Sequence, residues 1–295
     1  MTPLKWFAIL AVVAVVLALG LPPNPRVLEQ LNTSESTYRL AVASVLIPYL
    51  LIWYAAFYAF AKLRDYSRPI KDTKDGKAFH KISIGMGVVA FSLVVPTITG
   101  LILNNIAIYH PAFQPYAVII INYVNLFPGL VAFLLLYNGA RMLSGTVRGK
   151  TRRLDLRWHA PWFLLLAIVF SHLTLENHYR FHPYHLDPWV LVVTYIVPYL
   201  YGWMVGLLSA YELRTYANNV KGVLYRSAVG QFATGIAVTV LGSIAIQFIN
   251  ITLAKRVGGS LGMVLLINYV LLAVVAVGLV MMALGTKKLK RIEET

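Results

Sequence analysis

Eight apolar runs dominate this chain, near residues 4–20, 40–61, 82–108, 116–140, 160–175, 188–211, 227–252 and 262–285. A helix needs about 20 such residues to cross the hydrocarbon core of a bilayer at a rise of about 1.5 Å each. Only a helix or a closed barrel satisfies its backbone hydrogen bonds there, and runs this long and continuous predict helices. The sequence therefore predicts an all-α polytopic membrane protein of eight spans. Charged residues make up 13% of the chain, about half the share usual in a soluble domain.

Eight spans put both termini on one side. With the termini in the cytoplasm, every lysine and arginine except Arg26, Arg39, Arg180, Lys255 and Arg256 falls in an inner segment. That asymmetry is the positive-inside signal, and it accounts for the net charge of +15 without nucleic acid. The expected place is the inner or plasma membrane of a cell. Membrane lipids are the expected partners, since basic inner loops attract anionic head groups; a membrane-protein partner or a second copy of the chain stays open. The first run, with Lys5 ahead of it and Ala18–Gly20 behind, also has the form of a signal peptide. We read it as a span because it has a counterpart later in the chain.

That counterpart belongs to an internal duplication. Residues 47–66 read IPYLLIWYAAFYAFAKLRDY and residues 197–216 read VPYLYGWMVGLLSAYELRTY. At this spacing Pro48/Pro198, Tyr49/Tyr199, Leu50/Leu200, Trp53/Trp203, Leu63/Leu213, Arg64/Arg214 and Tyr66/Tyr216 are identical. INYV at 121–124 returns at 267–270, Gly139 returns as Gly285, Trp6-Phe7 as Trp162-Phe163, and Asn105-Ile106 as Asn250-Ile251. The spacing drifts between these matches, which places length changes in loops, where they are tolerated. The chain thus reads as two tandem four-helix repeats, 1-150 and 151-295. A unit with an even number of spans keeps its orientation when copied, so the repeats are parallel and a pseudo-twofold axis runs along the membrane normal. Two four-helix bundles side by side are expected.

No Asp or Glu lies in the middle of a run. Intramembrane ionisable groups mark proton relays and ion paths, so a proton-coupled pump or carboxylate-ringed channel is disfavoured. The buried polar residues are neutral: Asn104, Asn105, Asn122, Asn125, Gln247, Asn250 and Asn268. The repeat pairs Tyr49/Tyr199, Trp53/Trp203, Asn105/Asn250 and Asn122/Asn268 collect in the outer half of their spans. Pro48 and Pro198 free carbonyls nearby and predict kinks. These eight residues are our candidate ligand-binding set. They would line an outward-facing cavity between the repeats for an uncharged or amphipathic small molecule or lipid. The competing reading makes the amides interhelical glue, at about 0.6 kcal/mol each. A different class of function is a receptor or scaffold subunit, with the matching Leu-Arg-x-Tyr ends at Arg64-Tyr66 and Arg214-Tyr216 as cytoplasmic contact points or simple interfacial anchors.

The remaining chemistry is sparse. His178, His182 and His185 lie with Glu176 and Asp187 in ENHYRFHPYHLD. Their spacing suits a metal on a helix, but Pro183 interrupts it. His159 and His172 are about one membrane depth apart and would suit haems if partners faced them, which keeps an electron-transfer subunit as a further alternative. His172 alone reads as a buried hydrogen-bonding group. The layout of two four-helix units resembles that of the haem A synthases, which use paired histidines at repeat-related positions. Here His80 aligns near Tyr225 and His172 faces Val16, so the likeness is one of architecture and carries over no residue. There is no cysteine, no Gly-x-x-x-x-Gly-Lys-Ser/Thr loop, no Gly-x-Ser-x-Gly and no His-Glu-x-x-His. No cofactor is favoured, and the chain reads as non-enzymatic.

Overall fold

The computed structural model describes residues 2–23, 25–30, 33–147, 156–181, 187–252 and 261–293, with some side chains inside the helices also left undescribed. Most of these residues are helical, and no strand is among them. The helices are α1 (Pro3–Gly20), short α2 (Pro25–Gln30), α3 (Glu35–Ser67), α4 (Lys74–Tyr109), α5 (Gln114–Val147), α6 (Leu156–Phe181), α7 (Pro188–Leu191), α8 (Val197–Asn219), α9 (Val223–Thr252) and α10 (Leu261–Glu293). Seven segments are long and apolar enough to cross a membrane: α1, α3, α4, α5, α7 with α8, α9 and α10. In α6 the apolar stretch is the shorter Pro161–Glu176.

Helix ends follow local chemistry. Ser34 caps α3 by accepting from Thr37 N–H at 3.2 Å, and Thr73 caps α4 by accepting from Gly76 N–H at 2.9 Å. A side-chain oxygen there satisfies one of the orphan amides of the first turn. The chain folds back so tightly before α4 that a Cβ on Gly76 would stand 1.6 Å from the Ile70 carbonyl oxygen. Gly222, between α8 and α9, has φ of 103°, a backbone conformation that glycine adopts without penalty. Pro48 sits inside an unbroken α3, whereas α7 joins α8 through a π-helical turn, Val192–Ile196, just before Pro198. Proline has no N–H to continue the ladder, and here Val197 N–H reaches back to the Val192 carbonyl instead.

The packing departs from two bundles side by side. α3 packs on α4, α4 on α5, α5 on α8, α8 on α9, α9 on α10, and α10 back on α3, so six helices close a ring. α1 lies outside it against α3 and α4, and α6 lies outside against α9 and the π turn. Small residues bring neighbours together, as is common where lipid supplies no hydrophobic drive. A Cβ on Gly139 of α5 would lie 2.8 Å from the Ala78 oxygen of α4, and one on Gly285 of α10 would lie 2.7 Å from the Ala228 oxygen of α9. A Cβ on Gly85 would lie 3.0 Å from the Ala132 oxygen, and one on Gly235 would lie 2.6 Å from the Gly278 oxygen. The α4–α5 and α9–α10 contacts are both set by small residues, which lie 150 apart on α4 and α9 and 146 apart on α5 and α10.

One end of the ring is closed by side chains. Tyr66 and Tyr216 are buried, together with Leu63 and Leu213. The Tyr216 hydroxyl donates to Asp75 Oδ2 at 2.9 Å and lies 3.4 Å from that of Tyr225, which is 3.5 Å from the Tyr66 hydroxyl. Ser144 of α5 donates to the Glu212 carboxylate of α8. Glu212 is 8% exposed. Residues 1–147 thus hydrogen-bond to residues 187–293 at the end rich in lysine and arginine. The tyrosines of the Leu-Arg-x-Tyr matches are turned into the bundle, so they are neither interfacial anchors nor exposed contact points.

Candidate functional site

Beyond that end, the ring helices line a half-open cavity of about 290 Å³. All six ring helices contribute: Tyr49 and Trp53 from α3, Ser92 and Leu93 from α4, Gly129 and Phe133 from α5, Pro198, Tyr199 and Trp203 from α8, Thr239, Ser243 and Gln247 from α9, and Leu272 and Val275 from α10. Among the described residues, no charged one is in its lining. The space sits at the low end of ordinary ligand pockets, about 300–1,000 Å³.

Two aromatic pairs face it from α3 and α8. Residues four apart share a helix face, and Tyr49 and Trp53 meet there with ring centroids 6.0 Å apart at 50°. Tyr199 and Trp203 meet at 5.7 Å and 49°. The surroundings of the two pairs differ. On the α8 side, Phe170 from α6 is fully buried and lies 4.8 Å from the Trp203 ring. Tyr195 donates to Gln247 Oε1 at 2.7 Å, and Gln247 Nε2 donates to the Tyr199 hydroxyl at 3.0 Å. Trp203 Nε1 donates to Ser243 Oγ at 3.3 Å. On the α3 side, Trp53 is 0% exposed and its Nε1–H has no hydrogen-bond partner among the described residues. Ser92 and Thr239 bond to carbonyls of their own helices, at 2.9 Å each. The cavity is therefore an apolar chamber with an aromatic wall on either side, one wall internally satisfied and the other holding a free donor.

Of the residues named from sequence, Tyr49, Trp53, Tyr199 and Trp203 line this space. Asn105 does not; it sits near the end of α4, with Nδ2 buried and unpartnered. Asn122, Asn250 and Asn268 lie in α5, α9 and α10, and their side chains fall outside the described residues. The same holds for the side chain of His178 in α6, while His182 and His185 lie outside the described residues altogether. His172 is not buried: its side chain is 77% exposed, and its Nε2 approaches Glu176 at 4.0 Å. α6 touches the ring through Phe170, and His172, two residues on, points elsewhere. The amide in the cavity is Gln247. Tyr195 and Phe170 were missed as well. Tyr195 had a legible signal, because Tyr195, Tyr199 and Trp203 recur every four residues along one helix face. Compared with protein-family models, with curated proteins and with solved structures, the chain finds no match.

Proposed function

We propose that this chain binds or moves an uncharged, amphipathic small molecule or lipid, held in the cavity at the centre of the six-helix ring. The observation that carries the reading is the meeting of the two Tyr–Trp pairs around one chamber without a charged group. An ion would pay heavily for entering such a site unpaired, whereas a flat ring or acyl segment gains contact with four aromatic faces.

The reading includes a duplicated architecture, with 1-150 and 151-295 as copies about an axis along the membrane normal. The matched registers of α4–α5 and α9–α10 support it, as do the near-equal geometries of the Tyr–Trp pairs. With the basic end in the cytoplasm, both termini lie there and the chamber sits beyond the closed end, toward the outer side.

The test uses a plug. Gly129 lines the cavity, and a Cβ built on it meets nothing within 4 Å, so Gly129→Phe fills the space without displacing a neighbour's backbone. Wild-type and plugged proteins are purified in mild detergent, extracted with solvent and compared by mass spectrometry. A neutral amphipathic compound retained near one per chain by the wild type and lost in the variant supports the proposal. Equal retention, or none by either protein, overturns it.

A further inference from the structure

Among the differences between the two aromatic walls is an acceptor for the tryptophan indole. The spacing of 150 that pairs Trp53 with Trp203 also pairs Leu93 with Ser243, and Gly85 with Gly235, whose contacts across α5 and α10 correspond. Trp203 Nε1 donates to Ser243 Oγ. At the matching place beside Trp53 stands Leu93, which lines the cavity and offers no acceptor. The Trp53 Nε1–H is consequently buried and unpartnered, in a residue that itself lines the chamber. Buried indole N–H groups ordinarily find partners, and an unmade bond in a dry site is costly.

We propose that the ligand completes this wall: the Trp53 indole turns its buried Nε1–H toward the chamber, and the ligand presents to it a hydrogen-bond-accepting oxygen, of carbonyl or ether type. The inference rests on the binding function proposed above and adds its chemistry and its sidedness. A pure hydrocarbon satisfies the apolar lining and leaves the donor orphaned. A charged acceptor meets no countercharge among the lining residues. A neutral molecule with one oxygen at the α3 wall and apolar surface elsewhere satisfies both constraints. The α8 wall makes no matching demand, since Ser243 already takes the Trp203 donor and Gln247 is bonded on both sides. The ligand therefore sits with its polar face toward α3.

Two probes of equal tail length separate the possibilities: decylubiquinone, which carries ring carbonyls, and decylbenzene, which carries no acceptor. The full chain in detergent is titrated with each, and the bound fraction is read by native mass spectrometry. Wild-type protein should hold decylubiquinone more tightly than decylbenzene. Trp53→Phe should weaken decylubiquinone by about tenfold, the scale of one buried hydrogen bond, with decylbenzene little affected. Leu93→Ser, which keeps every aromatic ring, gives the indole an internal acceptor and should weaken decylubiquinone in the same sense. If decylubiquinone binds but neither variant alters its affinity, the acceptor inference falls and the binding function stands. If neither probe binds, both fall together.

Discussion

At the scale of single residues, Trp53 and Trp203 occupy like positions but carry different loads. Trp203 holds a bond to Ser243, whereas Trp53 Nε1 holds none among the described residues. Trp203→Phe should therefore lower thermal stability in detergent by about 1 kcal/mol more than Trp53→Phe, the usual net worth of one hydrogen bond. Equal melting shifts would count against this assignment. Both tryptophans were legible beforehand because each follows a tyrosine by four residues, and the same pair returns in the second half of the chain. The amides were harder to place. Distance along a helix gives the depth of a residue, but not the face it occupies, and nearly every face of these helices is apolar. Asn105 accordingly shares a depth range with the other candidates but lies off the cavity lining, while Gln247 lines it.

At the scale of elements, glycine contacts set the distance between helices. Gly235→Ala puts a methyl 2.6 Å from the Gly278 carbonyl and should cost about 1–3 kcal/mol through forced separation of α9 and α10. Gly100 has nothing within 4 Å, so Gly100→Ala should be neutral or stabilising through helix propensity. Gly76→Ala should be the most damaging of the three, since its methyl would stand 1.6 Å from the Ile70 carbonyl oxygen, closer than the 2.6 Å contact at Gly235. Unfolding in detergent, followed by circular dichroism, ranks them; a Gly235→Ala protein as stable as Gly100→Ala would refute the packing argument. The long helices were readable from hydropathy, since lipid demands length and apolarity. The π turn before Pro198 was not. A proline announces a broken ladder, but whether the helix runs on, as at Pro48, or takes a π turn, as before Pro198, depends on neighbours that sequence does not specify.

For the whole molecule, ring closure was the least legible property. Hydropathy shows which segments enter the bilayer, not which ones touch across it, so the α3–α10 and α5–α8 contacts had no sequence signature. The hydrogen bonds that join residues 1–147 to 187–293, Tyr216 to Asp75, Tyr66 to Tyr225 and Ser144 to Glu212, gather at the basic end. Weakening them should loosen that end first. The chain contains no cysteine, so Thr239→Cys places one reporter thiol in the cavity lining with no background. Adding Asp75→Ala with Tyr66→Phe should raise the rate at which a membrane-impermeant thiol reagent reaches residue 239 from the basic side. An unchanged rate would show that apolar packing alone seals the end. α3 runs for 33 residues from Glu35 to Ser67, about 50 Å of helix, and it is packed on α1, α4 and α10. The Tyr49–Trp53 wall and the Tyr66 hydroxyl contact therefore share one rod. Whatever turns that rod at the basic end turns the aromatic wall with it.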